Sequence, residues 1–529
     1  MLNTPRAYGG MVTAPHHLAA QSGVAVLRDG GNALEAMLAM AAAIAVVYPH
    51  MNSIGGDAFW LVAAPGEEPV GIQACGPAAR LATPEFYAER RHVEIPSRGA
   101  LAALTVAGTI GGWQRALELS RRWGGRMPLP DLLADAVRHG RDGTAISASQ
   151  AGLTREKLAE LSDVPGFAET YLDKGQIPPE GSRLHQPALA GTLEQLARAG
   201  LDDFYRGEVA RALAADLEAA GSPVRLSDLE AYRASFVAPL SVGLAGARAY
   251  NLPPPTQGAS ALAILAILDR LGRPAGEDFA FVHMIVEATK QSFIVRDAKV
   301  RDPAIMDVDA ASLLSDKAIT RMSAAIDAAR ALTWPHKASP GDTVWMGAVD
   351  GEGRAVSFIQ SLYWEFGSGL VCRRTGVLWQ NRGISFSLAE GHPNRLAPGR
   401  LPFHTLNPAF ARFDDGRAMV YGTMGGDGQP QTQAAVFARY AWLGLGLQQA
   451  VTAPRWLLGR TWGAESTTLK LESRFGEHTV ESLRRAGHEV ETIEPYSDTV
   501  GHAGAVVRHA DGLLEGAADP RSDGSVAAF

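Results

Sequence analysis

The stretch Gly341-Asp-Thr-Val-Trp-Met-Gly-Ala-Val-Asp350, continuing through Gly351-Glu-Gly-Arg354 into Ala355-Val-Ser-Phe-Ile-Gln-Ser-Leu362, decides the fold. Two runs rich in β-branched and aromatic residues flank a glycine turn, which predicts a β-hairpin over 343–362. Ahead of it, Trp334-Pro-His-Lys-Ala-Ser-Pro-Gly-Asp342 has loop composition throughout. Thr343 therefore opens the first strand directly after a flexible segment.

Upstream, Leu18 to Arg28 reads as a helix closed by Gly30-Gly31, and Asn32 with Glu35 predicts a capping box opening an apolar helix to Tyr48. Ala58 to Val62 and Pro69 to Cys75 read as neighbouring strands across a Pro-Gly-Glu-Glu turn. Residues 101–330 read as mostly helical, with amphipathic segments at Pro187–Ala199 and Ser260–Leu271, broken by the stiff loop Asn251-Leu-Pro-Pro-Pro-Thr-Gln-Gly258. Downstream, strands are expected at 418–421, 503–508 and 513–516. Strands toward both ends, with helices between and around them, predict a layered α+β architecture.

Composition narrows the function classes. The 529 residues are 46% hydrophobic and 20% charged, ordinary for a globular protein. A net charge of -7 offers no basic footprint for nucleic acid and argues against anionic membranes. Two cysteines far apart in sequence, Cys75 and Cys372, predict neither a disulfide framework nor a cysteine metal site. No HExxH or clustered ligand pattern is visible, so no metal or other cofactor is expected, and the loop residue His392 reads as solvated. The N-terminus has no basic segment followed by an apolar one, and the longest apolar run, Ala36 to Tyr48, is too short to span a bilayer. A cytoplasmic protein is expected.

Thr343 carries the candidate chemistry. A threonine hydroxyl is a weak nucleophile and needs an adjacent base. Cleavage of the Asp342–Thr343 bond would supply one on the same residue, an α-amine with a reference pKa of about 8. A second feature is Ala418-Met-Val-Tyr-Gly-Thr-Met-Gly-Gly-Asp-Gly-Gln-Pro430, which reads as strand, glycine loop and then a helix over Thr432–Trp442. The N–H groups of Gly425 and Gly426 there would suit an oxyanion. The same glycines also suit a simple tight turn. A nucleotide loop fits less well, because no Walker lysine or full GxGxxG with an acidic ribose ligand is present.

Taken in order, several blocks resemble the γ-glutamyltranspeptidases over nearly the whole chain. They are Gly10-Met-Val-Thr13, Leu27-Arg-Asp-Gly-Gly-Asn-Ala33, Ile54-Gly-Gly-Asp-Ala-Phe59, Leu252 to Gly258, Arg296-Asp297, Arg301-Asp-Pro303, Gly341-Asp-Thr343, Gly367-Ser-Gly369 and Gly516-Ala-Ala-Asp-Pro-Arg521. The resemblance implies the four-layer αββα fold of N-terminal-nucleophile hydrolases. It also implies autocleavage before Thr343 into a large subunit, residues 1–342, and a small subunit, residues 343–529. The two would interleave in one core as a heterodimer, which could pair again into a dimer of heterodimers. Thr343 would be nucleophile and base, with Ser361 standing where the family has a second threonine bonded to the nucleophile. Gly425 and Gly426 would be the oxyanion donors. Arg80 falls within a few residues of the arginine that grips the substrate carboxylate; a surface arginine fits the position equally.

The departures from the family pattern bear on the substrate. Where the transpeptidases hold the glutamyl amino and carboxyl groups with asparagine, glutamine, aspartate and paired serines, this chain has Tyr363, Arg382, Ser385 and His404-Thr405. Tyr363 and Arg382 also suit packing and surface roles. Losing the aspartate removes the anion for a substrate ammonium, while Arg382 adds a cation. A short segment between Phe386 and His404 implies a reduced lid, favouring hydrolysis over transfer. The resemblance therefore points to a small amide bearing a carboxylate, with oxamate cleavage to oxalate and ammonia, a step of urate breakdown, fitting best. Glutathione hydrolysis or γ-glutamyl transfer is the alternative, a glutaryl-type β-lactam acylase a third, and a catalytically silent scaffold a fourth.

Overall fold

The computed structural model describes residues 3–334, 342–459 and 468–529. The loop expected ahead of Thr343 therefore lies, over 335–341, outside the described residues.

The hairpin forms as Asp342–Asp350 paired antiparallel with Ala355–Tyr363. Asp350 Oδ1 ties its turn by accepting the Glu352 and Arg354 N–H groups. The two strands lie at the centre of a seven-stranded antiparallel sheet. Its order is Ser525–Ala528, Gly10–Ala14, Asp342–Asp350, Ala355–Tyr363, Asp57–Ala63, Val70–Ala74 and Ser235–Val237. A second seven-stranded antiparallel sheet runs Arg6–Ala7, Leu514–Ala518, Ala503–Arg508, Ala418–Thr423, Ala409–Phe413, Ala247–Asn251 and Leu240–Leu244.

Side-chain alternation along the strands builds the layers. Trp345, Val349 and Ile359 turn inward to a core shared with Phe410, Val420 and Val506 of the second sheet. Val344, Met346, Ala348, Val356 and Phe358 turn outward to the helices His17–Arg28 and Ala33–Val47. On the far side, Gly258–Leu271, Phe279–Lys299 and Gly428–Phe437 cover the second sheet. The result is helix, sheet, sheet, helix. The inner helix Ala33–Val47 is buried along its whole length, and its N-terminus is satisfied by the expected capping box of Asn32 and Glu35.

Residues 101–330 are mostly helical, as expected, and Ser235–Val237, Leu240–Leu244 and Ala247–Asn251 within them also supply strands to both sheets. One expectation is corrected. The helix expected over Thr432–Trp442 begins earlier, at Gly428, and ends as a wider-wound turn over Ala438–Trp442. Pro430 falls in its first turn, where a missing N–H costs nothing. Cys75 and Cys372 are buried free thiols. No helix among the described residues is long and apolar enough to cross a membrane.

Candidate active site

Thr343 is 1% exposed, at a point where the hairpin register slips between Asp342 and Val344. That irregularity turns its hydroxyl onto Ser361, with Oγ1 3.2 Å from the Ser361 Oγ. The Ser361 oxygen also accepts the Tyr363 N–H at 2.8 Å. On the next strand Asp57 lies directly across from Ser361. Thr343, Ser361 and Asp57 thus occupy one end of three adjacent strands, spanning two strand spacings, or about 10 Å.

The second sheet brings the glycine loop over this end. A side chain added at Gly347 would press on Val420, and one at Gly422 would run into the Trp345 indole. Val420 therefore overlies Gly347 and Gly422 overlies Trp345, so residues 424–426 reach the level of Thr343. Gly425 and Gly426 take left-handed φ values of 113° and 53°, which glycine adopts without strain. Among the described residues, neither amide donates a backbone hydrogen bond. Gln257, in the proline loop, fixes this turn: its Nε2 donates to Gly426 O at 2.9 Å and to Thr405 O at 2.7 Å. Arg296 in turn holds both Gln257 Oε1 and Asp427 Oδ1 at 2.8 Å.

Beside the hairpin end, Arg382 stacks on Tyr363 with its Cζ 3.7 Å from the ring centroid. The guanidinium is buried, 1% exposed, and among the described residues its Nη1 and Nη2 have no hydrogen-bond partner. Burial lowers its pKa to about 10, against the opposing pull of Tyr363, Asp57 and Cys75. It remains a cation at neutral pH. Ser385 Oγ contacts Arg382 O at 2.9 Å and Phe403 O at 3.2 Å. His404 and Thr405 are fully buried, and both His404 ring nitrogens and Thr405 Oγ1 lack hydrogen bonds among the described residues. Burial first, then the Arg382 charge, holds His404 well below the usual imidazole range, so the ring is neutral.

Of the two placements open to Arg80, the structure has the surface one: it is exposed, and its backbone N–H goes to Asp228. Arg382, by contrast, is a buried cation beside the hairpin end. Sequence reading also passed over Asp57, although it lies in the quoted block Ile54 to Phe59. Its Oδ1 accepts Gly76 N–H, Gly108 N–H and Gln380 Nε2 at 3.0–3.1 Å, and its Oδ2 lies 3.2 Å from His404 Nε2 without hydrogen-bond alignment. Burial pushes its carboxyl up to about 7, against the lowering effect of Gln380, Arg382 and the two amides.

A cavity beside the hairpin end, of about 890 Å³, is lined by Tyr363, Trp364, Ser385, Phe403, Arg296 and Asp297. The exposed His392 also lines it, its Nδ1 accepting the Asn394 N–H. Away from the site, His283, Glu287 and His488 cluster closely enough to suggest a metal. Lys290 Nζ, however, already sits 2.6 Å from Glu287 Oε1, and the two imidazoles bond each other at 2.8 Å. An ammonium at the one carboxylate opposes a second cation there.

Comparison with known proteins gives concordant matches. The gamma-glutamyltranspeptidase family model matches residues 19–529. The chain is 56% identical to the oxamate amidohydrolase proenzyme of Klebsiella pneumoniae over 98% of each chain. It is 38% identical to a glutathione hydrolase-like proenzyme of Bacillus subtilis over 97% of each. The solved cephalosporin acylase of Bacillus halodurans superposes with a TM-score of 0.91 at 33% identity, covering 100% of this chain and 97% of that one. The chain therefore belongs to the γ-glutamyltranspeptidase family and is a hydrolase of C–N amide bonds on the αββα N-terminal-nucleophile fold.

Proposed function

We propose that this enzyme cuts itself between Asp342 and Thr343 and then hydrolyses a small amide bearing a carboxylate, oxamate being the substrate that fits best. Fragments 1–342 and 343–529 remain together, since strands from both alternate in the central sheet. The freed Thr343 amine takes the proton of its own hydroxyl as the oxygen attacks the amide carbonyl. Ser361 orients that hydroxyl, and the Gly425 and Gly426 N–H groups receive the oxyanion. Collapse expels ammonia carrying the proton, and water then cleaves the oxalyl ester. The balance is oxamate plus water to oxalate plus ammonium.

The observation that carries the substrate reading is the buried Arg382 guanidinium, whose Nη1 and Nη2 have no hydrogen bond among the described residues, next to Ser385, which offers a hydroxyl and no anion. A desolvated cation with no carboxylate hydrogen-bonded to its Nη atoms suits a carboxylate ligand and repels an ammonium. The 56% identity to an oxamate amidohydrolase supports the same choice. A second reading, γ-glutamyl hydrolysis, draws support from the cavity of about 890 Å³, far larger than oxamate requires. Comparing kcat/KM for oxamate with that for a γ-glutamyl anilide separates the two. A large preference for the anilide would overturn the oxamate reading and leave the Thr343 chemistry standing.

A further inference from the structure

Asp57 has no part in the chemistry above, yet its surroundings are those of a ligand group. Its Oδ1 is saturated by three donors, from Gly76, Gly108 and Gln380. Its Oδ2 is 1% exposed with its residue and has no hydrogen bond among the described residues. Around it stand further buried polar atoms without hydrogen bonds among the described residues: both Arg382 Nη atoms, both His404 ring nitrogens, of which Nε2 lies 3.2 Å from Oδ2, Thr405 Oγ1 and Gln380 Oε1. Buried polar groups are rarely left unsatisfied, and so many in one place mark the seat of a polar ligand.

The charges then conflict. Arg382 is the cation whose field reaches Asp57. If Asp57 were ionised, it and a bound carboxylate would both draw on this guanidinium in a buried site. Two neighbouring carboxyl groups resolve such a conflict by sharing a proton. The other titratable groups facing Asp57 give no relief. Burial pushes the Cys75 thiol and the Tyr205 and Tyr232 phenols well above their usual ranges, so all three stay neutral. His404 is also neutral.

We propose that Asp57 is a substrate-binding residue that works in its protonated form, its Oδ2–H donating to the substrate carboxylate held by Arg382, so that an anionic substrate binds to ionised Asp57 only together with one proton. The proposal rests on the reading that the substrate carries a carboxylate. It agrees with the burial that already raises the Asp57 carboxyl to about 7, since a bound anion raises it further. The sign follows: anions bind fully below that value, and affinity falls as pH rises through it.

Oxalate, a non-reacting diacid related to the product, is the probe. Calorimetry on the processed enzyme should show Kd rising about tenfold per pH unit above the Asp57 midpoint. Titrations in buffers of different ionisation enthalpy should show proton uptake approaching one per oxalate well above that midpoint and vanishing well below it. Asp57→Asn keeps the Oδ1 acceptor and places a permanent donor at Oδ2, so its Kd should lose that slope. Because Thr343 keeps its amine in this variant, a slope that belonged to the amine would survive. A flat wild-type profile with no proton uptake, or an unchanged slope in Asp57→Asn, would overturn the proposal while oxamate hydrolysis stood. Failure of oxalate to bind at any pH would overturn both readings. The wild-type proton count is decisive by itself if the variant does not fold.

Discussion

Replacing Arg382 by glutamine should separate activity from stability in opposite directions. The guanidinium is 1% exposed, has no hydrogen bond to either Nη among the described residues, and has its pKa lowered from 12.5 to about 10. A shift of that size corresponds to about 3 kcal/mol by which folding disfavours the charged side chain. The sign is that of a cation depressed by burial: the penalty is present at every pH below about 10. A neutral glutamine side chain would escape it, losing the stack on Tyr363, worth about 1 kcal/mol. The empty variant should therefore be as stable as the wild type or about 1–2 kcal/mol more so. Activity should fall. One or two charge-assisted hydrogen bonds to a carboxylate contribute about 2–4 kcal/mol, or roughly 30- to 1000-fold in kcat/KM. Ammonia release from oxamate, set against the neutral diamide oxamide, is the assay, with thermal melting of the same samples. Equal losses of activity on the two substrates, or an Arg382→Gln enzyme that melts well below the wild type, would contradict both expectations. Either result would make Arg382 a structural residue.

Thr343→Ala should remain one chain of 529 residues on a denaturing gel, whereas the small fragment of the wild type should begin Thr-Val-Trp-Met; cleavage of the mutant at the same bond would refute self-processing. Ser361→Ala should lower kcat about tenfold with little change in KM, because it removes one hydrogen bond that orients the nucleophile, and an unchanged kcat would remove Ser361 from the mechanism. The Asp57 carboxyl, raised from 3.8 to about 7, contributes stability that is complete below about 4 and lost as pH rises through about 7. In urea melts of the uncleaved Thr343→Ala chain, adding Asp57→Asn should remove a pH-dependent loss of up to about 4 kcal/mol across that window; identical pH profiles would contradict the burial argument.

Much of the fold was legible because its signals are local. The hairpin 342–363 announces itself by two β-rich runs around Gly351-Glu-Gly353, and the helix Ala33–Val47 by a cap that needs only Asn32 and Glu35. What was missed depends on distant partners. Leu240–Leu244 and Ala247–Asn251 pair with each other across a tight turn, but they sit in a stretch dominated by Ala- and Leu-rich helices and join the second sheet by pairing with Ala409–Phe413, about 160 residues later. Gly10–Ala14 and Ser525–Ala528 pair across nearly the full chain length, which no local pattern can report. Arg80 shows the same limit in the site: a basic residue near the right motif is visible in sequence, whereas its exposure is a tertiary property.

The site itself was legible as chemistry and not as charge. Thr343 and the glycine pair could be singled out from strand position and loop composition, Ser361 only through the family resemblance, and the geometry brings Thr343 and Ser361 into contact. The meaning of Ser385 depends on what its hydroxyl touches. It bonds Arg382 O and Phe403 O, tying the turn that carries Arg382 to the segment that carries His404 and Thr405. The residue that replaces an anion in the family pattern has thus become a latch for a cation. With that anion gone, the remaining carboxyl near Arg382 is Asp57, contributed by a strand more than 300 residues away in sequence and held by Gln380. Above its midpoint Asp57 offsets the guanidinium, and below it Arg382 is left as a single positive charge. On the proposed reading, the protonation state of Asp57 decides whether this pocket is neutral or complementary to one carboxylate, so that charge rather than shape would be its first criterion of selection.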